Sequence, residues 1–244
     1  MQCISFIRHS ESYANKIKKE NNKDYLFRKI IKKQTLEDEK NNQIENRIFD
    51  PHITVEGIIK CLNNKINPNK NILILISPLI RNILTTFFLF YDCFINNYQY
   101  KINIIINKDL KEKFFHPYDF LENYNFPFSL QIEDIKKNII NNNILLNKIN
   151  ISKEDIIHKF NIFINLLDKN NIKYGDEENI FLENQENQKI NNVFKKEKYL
   201  KNIRSIIKKN KNYDKIFCIS HWGVMKSLFQ IRDIKNLQVI EYEL

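Results

Sequence analysis

Glycine and proline are both scarce in this chain of 244 residues, with 3 and 5 copies. That scarcity excludes collagen-like sequence and glycine-rich linkers, and it leaves left-handed turn positions to asparagine. No apolar run reaches the ~18 residues that a membrane-spanning helix needs. The N-terminus reads as a poor secretory signal, because Arg8, His9 and Glu11 interrupt a very short apolar stretch. The four cysteines, Cys3, Cys61, Cys93 and Cys218, have no Cys-x-x-Cys spacing, which excludes zinc-ribbon and thioredoxin-type motifs. Nothing suggests a disulfide framework, so a reducing, cytoplasmic setting is expected. Cys3 and Cys218 sit inside apolar runs and are expected in the core.

What remains is an ordinary globular composition, 43% hydrophobic and 28% charged, with a net charge of +10. The basic excess admits an anionic partner. The lysines are spread along the chain rather than blocked, as are asparagine and isoleucine, so most of the charge reads as solvated surface. No nucleic-acid motif accompanies it. Neither a nucleic-acid nor a membrane partner is expected, and the oligomeric state is not legible.

Three runs, Cys3–Ile7, Ile72–Ile76 and Lys215–Ile219, are short, apolar and rich in β-branched or aromatic residues. They read as strands buried on both faces, hence a parallel sheet covered by helices. Residues 101–106 add a fourth strand, and the alternation over 238–244 suggests an edge strand. Helices are expected over 12–33, 54–66 with Thr54 as N-cap, 79–95, 152–168 with a Ser-x-x-Asp start, 189–209 and 223–230. The aromatics Phe87, Phe88, Phe90, Tyr91 and Phe94 belong to helical core rather than to a base-stacking platform. The fold expected is α/β, a three-layer αβα sandwich with a mostly parallel central sheet, in a single domain over 1–244. Residues 107–188 lack clear strands and read as a lid or insertion over the C-terminal edge of that sheet.

In open α/β sheets the ligand crevice lies at the carboxyl ends of the strands. The first buried strand is followed by Arg8-His9-Ser10-Glu11-Ser12, the second by Ser77-Pro78-Leu79-Ile80-Arg81, and the third by Ser220-His221-Trp222-Gly223. Arg8, His9, Arg81 and His221 would therefore converge beside helix N-termini, a setting suited to a phosphate-like dianion. Neutral imidazole is also a nucleophile for phosphoryl transfer, arginines neutralise the equatorial oxygens, and a leaving alkoxide needs a proton donor. The segment Asp109-Leu110-Lys111-Glu112 after the fourth strand offers candidates for that acid. Thr54 and Gly57 read as helix start and close packing, and His52, His116 and His158 have no partner spacing.

Taken in order, Arg8-His9-x-Glu11-Ser12-x-x-Asn15, Asp50-Pro51-x-x-Thr54-x-x-Gly57, Ser77-Pro78-Leu79-x-Arg81-x-x-x-Thr85, Leu110-x-Glu112 and Ser220-His221-x-Gly223 resemble the histidine phosphatase superfamily, the phosphoglycerate-mutase-like proteins. The segments run from residue 8 to 223. The resemblance implies a metal-independent phosphomonoesterase without a cofactor, acting on a phosphorylated small molecule. His9 would be the phosphorylated nucleophile. Arg8, Arg81 and His221 would form the phosphate pocket, Asn15 would reach the phosphate, and Glu112 would be the proton donor. Phe114 to Phe120 resembles the Pro-x-Asp stretch that follows the acid in some phosphatases of this kind, so Phe115, His116 and Tyr118 would line the substrate together with Trp222. Two departures stand out: Ser10 replaces the usual Gly, and Trp222 replaces a small residue. The insert that glycolytic mutases use is not recognisable, which favours phosphatase over a phosphoglycerate-type mutase. Ser10 and Trp222 motivate a third reading, a non-catalytic protein that keeps the anion pocket.

Overall fold

In the computed structural model of the chain, residues 3–13, 15–16, 52–96, 98–107, 110, 136–137, 139–141, 143–168, 196–210 and 212–243 are described. Five strands, β1 (Cys3–Arg8), β2 (Ile72–Ile76), β3 (Ile102–Ile106), β4 (Lys215–Ser220) and β5 (Val239–Glu243), form one sheet in the order β3-β2-β4-β1-β5. The first four are parallel, and β5 joins the β1 edge antiparallel. The register sets Arg8 opposite Ser220 and Ile76 opposite Ile219. The carboxyl ends of β1, β2 and β4 therefore finish level with one another.

Every residue of β2 is fully buried. Its side chains alternate between two cores as the strand period demands: Ile72, Ile74 and Ile76 face one, Leu73 and Leu75 the other. The first core is covered by α1 (Val55–Asn63), α2 (Ile80–Leu89), α3 (Asn143–Ile149) and α4 (Lys153–Asp168), and the second by α5 (Lys196–Lys209) and α6 (Trp222–Phe229). This is the expected three-layer α/β arrangement with a mostly parallel sheet. No helix among the described residues is long and apolar enough to cross a membrane.

All ten residues of α2 are buried, including Arg81, Asn82, Thr85 and Thr86. The two threonine hydroxyls return to carbonyls one turn back, Thr85 to Arg81 at 2.6 Å and Thr86 to Asn82 at 2.8 Å, so neither is buried unsatisfied. The sequence predicts one helix over 79–95, but α2 stops at Leu89. The Ile66 N–H takes the Leu89 carbonyl at 2.7 Å, and a short 3-10 turn over Tyr91–Cys93 follows. The expected aromatic core is there: the Phe87 ring meets Phe88, Tyr91, Phe94, Phe160 and Phe163 at centroid distances of 4.8–6.0 Å.

Caps follow the sequence signals in part. Thr54 caps α1, its hydroxyl accepting from Gly57 N at 2.9 Å. The Asp155 N–H donates to Ser152 Oγ at 3.1 Å, but the Asp155 carboxylate accepts from the Tyr91 hydroxyl at 2.8 Å. The acid thus ties α4 to the end of α2 instead of closing a reciprocal box. Cys218 is buried as expected, whereas Cys3 is half-buried and donates to Glu241 on β5 at 2.8 Å. It lies next to the edge strand, whose outer face is wet. All four cysteines are free thiols. Most of the expected helix over 12–33, most of 107–142 and the start of the helix over 189–209 lie outside the described residues.

Candidate functional site

The level ends of β1, β4 and β2 set the geometry. The His9 N–H donates to the Ser220 carbonyl at 2.9 Å, Ser77 N to Ile219 O at 3.2 Å, and Asn107 N to Ile76 O at 2.8 Å. These bonds carry the ladder one step past each strand and fix the first loop residue after it. His9 and His221 are thereby brought together at the centre of the sheet edge. Their rings lie edge to face at 64° with centroids 5.1 Å apart, and only 4% and 0% of the two residues is exposed. Arg81 sits in the first turn of α2, 4% exposed, and the half-buried Arg8 is the last residue of β1.

The ring of His9 has a defined tautomer. Its Nδ1 is 2.6 Å from the Ser10 carbonyl. A carbonyl only accepts, so Nδ1 carries the hydrogen and the lone pair of the neutral ring lies on Nε2. His221 turns its Nε2 to Ser77 Oγ at 2.8 Å and Asn82 Nδ2 at 2.9 Å. Arg8 donates from Nη1 to the Ile234 carbonyl at 2.5 Å.

The segment after His9 is held by α1 and α2. Ser10 N donates to Thr85 Oγ1 at 2.9 Å, and Ser10 Oγ to the Gly57 carbonyl at 2.8 Å. The serine that replaces the expected glycine thus turns its hydroxyl toward α1. Beneath it, burial pushes the Cys61 thiol up to about 12, an effect that the hydrogen bond with Ser10 opposes. The Glu11 carbonyl accepts from Thr54 N at 2.8 Å. A Cβ on Gly57 would lie 2.6 Å from that carbonyl oxygen, so glycine is required here by close approach, in line with the packing role expected of it.

From the other side, the loop between α6 and β5 clamps the segment around His9. Leu237 N donates to Arg8 O at 3.0 Å and Arg8 N to Gln238 O at 3.2 Å. Asn236 Nδ2 donates to His9 O at 2.8 Å and reaches Asn15 Oδ1 at 3.4 Å. Leu237 has φ 61°, a left-handed conformation that a leucine adopts only under tertiary constraint. Asn15 uses the same Oδ1 to accept from Ser12 N and Ser12 Oγ, both at 3.2 Å, so it closes the turn after His9. Trp222 is 38% exposed; its indole donates to Arg232 O at 3.0 Å and its ring lies under Lys226 at 4.4 Å. An open cavity of about 500 Å³, lined by Lys60, Asn64 and residues 233–238 apart from Ile234, lies beside this loop.

Glu112, Asp109, Phe115, His116 and Tyr118 lie outside the described residues. Leu110, two positions before Glu112, is fully buried, and its carbonyl accepts from Ser220 Oγ at 3.1 Å. His158 is exposed and His52 is half-buried. Among the described residues no group of three or more His, Cys, Asp and Glu side chains is placed to hold a metal ion. Sequence reasoning missed Asn82 and Asn236. In a chain rich in asparagine neither stands out, although a polar stripe of Arg81, Asn82, Thr85 and Thr86 in an otherwise apolar helix was a usable signal for the first.

No family model matches the chain, and no curated protein does. Among solved structures, one match is a chain from Escherichia coli strain K-12 substrain MG1655, named as a candidate alpha-ribazole-5'-P phosphatase. It is 13% identical, covers 93% of this chain and 78% of its own length, and superposes with a TM-score of 0.40.

Proposed function

We propose that the chain is a phosphatase of the histidine phosphatase type, hydrolysing a small phosphomonoester through a phosphohistidine. The observation that carries this reading is the His9–His221 pair. Two buried imidazoles meet at the carboxyl ends of adjacent parallel strands, and one of them has its Nδ1–H tied to a carbonyl so that Nε2 holds the lone pair. In this mechanism Nε2 attacks phosphorus, a P–N bond forms, and the P–O bond to the leaving group breaks. Glu112 gives the departing oxygen its proton. Water then attacks the phosphohistidine, with Glu112 taking the proton of that water, and phosphate leaves.

Arg8, Arg81, His221 and Asn15 are the groups assigned to the phosphoryl oxygens, where fixed positive charge is worth most in the transition state. Trp222, Phe115, His116 and Tyr118 are assigned to the substrate. No metal or cofactor enters the scheme. The Ser10 hydroxyl is engaged by the Gly57 carbonyl, which supports the catalytic reading over a non-catalytic one.

The test is a panel of phosphorylated metabolites assayed for released phosphate, with and without a chelator, using wild type and His9→Ala. Wild type should release phosphate whether or not the chelator is present, and should yield an acid-labile phosphoprotein on rapid quenching. His9→Ala should lose essentially all turnover while keeping its fold. Residual activity within about tenfold of wild type overturns the assignment of His9, activity lost to the chelator and restored by a divalent ion overturns the scheme, and an isomerised phosphoester in place of free phosphate makes the chain a mutase.

A further inference from the structure

We infer that Asn82 is a positioning residue: its amide holds His221 as a neutral ring with the hydrogen on Nδ1, and so decides which nitrogen the ring offers to the reacting group. The inference rests on the phosphatase reading above for its catalytic meaning, and on geometry for the rest. Asn82 is fully buried on α2, and its Nδ2 lies 2.9 Å from His221 Nε2. With the amide turned so that its nitrogen faces the ring, it donates, Nε2 accepts, and the proton of the neutral ring sits on Nδ1. Ser77 Oγ lies 2.8 Å from the same Nε2, but a hydroxyl rotates and serves as donor or acceptor equally well. Ser77 therefore accepts either tautomer, and Asn82 selects one.

The surroundings agree with a neutral ring. The described charged and titratable groups at this end of the sheet are Arg8 and His9 from the β1 end, Glu11 just beyond, Arg81 on the first turn of α2, Lys226 on α6, and Arg232, Asp233 and Lys235 on the loop that packs against the end of β1. Two guanidinium groups and a second imidazole disfavour a further cation. A protonated His221 would also set an N–H against the Asn82 N–H at hydrogen-bond distance.

The rest of the Asn82 side chain makes a structural role a poor account of it. Its Oδ1 is buried without a hydrogen-bond partner among the described residues, a cost that an apolar side chain in this apolar helix would avoid. The consequence for the mechanism is a division of labour. His221 contributes a directed Nδ1–H to a phosphoryl oxygen, and the positive charge that neutralises the transferring group comes from Arg8 and Arg81.

The experiment reads the ring directly. Nitrogen-15 NMR of the imidazoles in the whole wild-type chain at pH 7 should show His221 with Nδ1 protonated and Nε2 bare. Asn82→Asp, which sets an acceptor against Nε2, should move the hydrogen to Nε2 and keep the ring cationic to higher pH. The midpoint for loss of inorganic phosphate binding should then rise by about one to three pH units. Asn82→Ala should give mixed tautomers and lower kcat about 3- to 10-fold with little change in KM.

A wild-type His221 that is cationic or carries its hydrogen on Nε2 overturns the inference, as do variants whose tautomer and pH midpoint match wild type. If either variant fails to fold, the wild-type spectrum alone decides. The expected tautomer in a protein that releases phosphate from no phosphomonoester would sink the proposed function and leave the role of Asn82 toward His221 standing.

Discussion

Gly57→Ala tests how tightly the nucleophile segment is pinned. Alanine is the better helix former by ~1 kcal/mol, and Gly57 lies in the first turn of α1, so propensity alone says that the change stabilises. Steric contact says the reverse. The new Cβ would stand 2.6 Å from the Glu11 carbonyl oxygen, 3.1 Å from Ser10 Oγ and 3.3 Å from Thr54 Oγ1. To reach ordinary contact the carbonyl must retreat by about 0.8 Å. That motion strains its 2.8 Å bond from Thr54 N, worth ~0.5–1.5 kcal/mol, and overpacking of this kind typically costs ~1–3 kcal/mol.

The sterics win, with a net destabilisation of ~1–3 kcal/mol, or a fall in Tm of about 2–12 °C for a chain of this size. Glu11 is two residues from His9, so the displacement passes to His9, where, if His9 is the nucleophile, ~1 Å of misplacement can cost ~100-fold in rate. Thermal unfolding and turnover of the variant check both numbers. A Gly57→Ala protein that melts at or above the wild-type temperature with undiminished kcat refutes the reasoning.

Two further expectations follow from the site and from the sheet edge. If Glu112 protonates the leaving oxygen, Glu112→Gln should lower turnover of an alkyl phosphate by ~10²–10⁴ and that of a nitrophenyl phosphate far less; equal losses on both would mean that Glu112 acts only in releasing phosphate from His9. Burial pushes the Glu241 carboxyl up, but hydrogen bonds from Cys3, Ser5 and Lys215 and the Lys215 charge outweigh it, so the folded value lies below the ordinary 4.5. The stabilisation is therefore present above about pH 4.5 and is lost as pH falls through the lower folded value. Glu241→Gln should lower stability at pH 7 by no more than ~1 kcal/mol, because the side chain is 52% exposed. Melting curves from pH 7 down into the acid range check this, and a gap that does not narrow as the pH falls below 4.5 contradicts it.

The central strands were readable because each is a short, mostly apolar run: all five residues of β2 are fully buried, and four of the six in β1 are buried although Ser5 interrupts that run. Alternation alone found β5, which keeps one face wet. The end of α2 was not readable. No glycine or proline marks it, and what stops the helix is Ile66 taking the Leu89 carbonyl from a distant segment. The site divides the same way. His9, His221, Arg8 and Arg81 were legible because residues at the ends of buried strands are brought to one edge by topology. Asn236 was not, since its contact with His9 spans 227 positions and nothing local distinguishes it from its neighbours. Asn82 lay between: a polar stripe of Arg81, Asn82, Thr85 and Thr86 inside an otherwise apolar helix marks a buried polar network, but which ring it serves depends on where β4 ends.

The strand order has a consequence during synthesis. β1 emerges well before both of its neighbours in the sheet, β4 and β5. At ~5–20 residues per second, the ribosome adds the 227 positions between His9 and Asn236 over roughly ten to fifty seconds. Through that interval β1 is an apolar strand with neither edge paired, the kind of segment that invites association with other chains. The nascent chain can dock β3 onto β2 early, since those strands adjoin in sequence and in space, but His9 does not meet His221 until β4 slides between β2 and β1. Pairing of both edges of β1 thus waits on the synthesis of β4 and β5, and a chaperone that shields β1 through that interval would act on the yield of folded protein more than on its final stability.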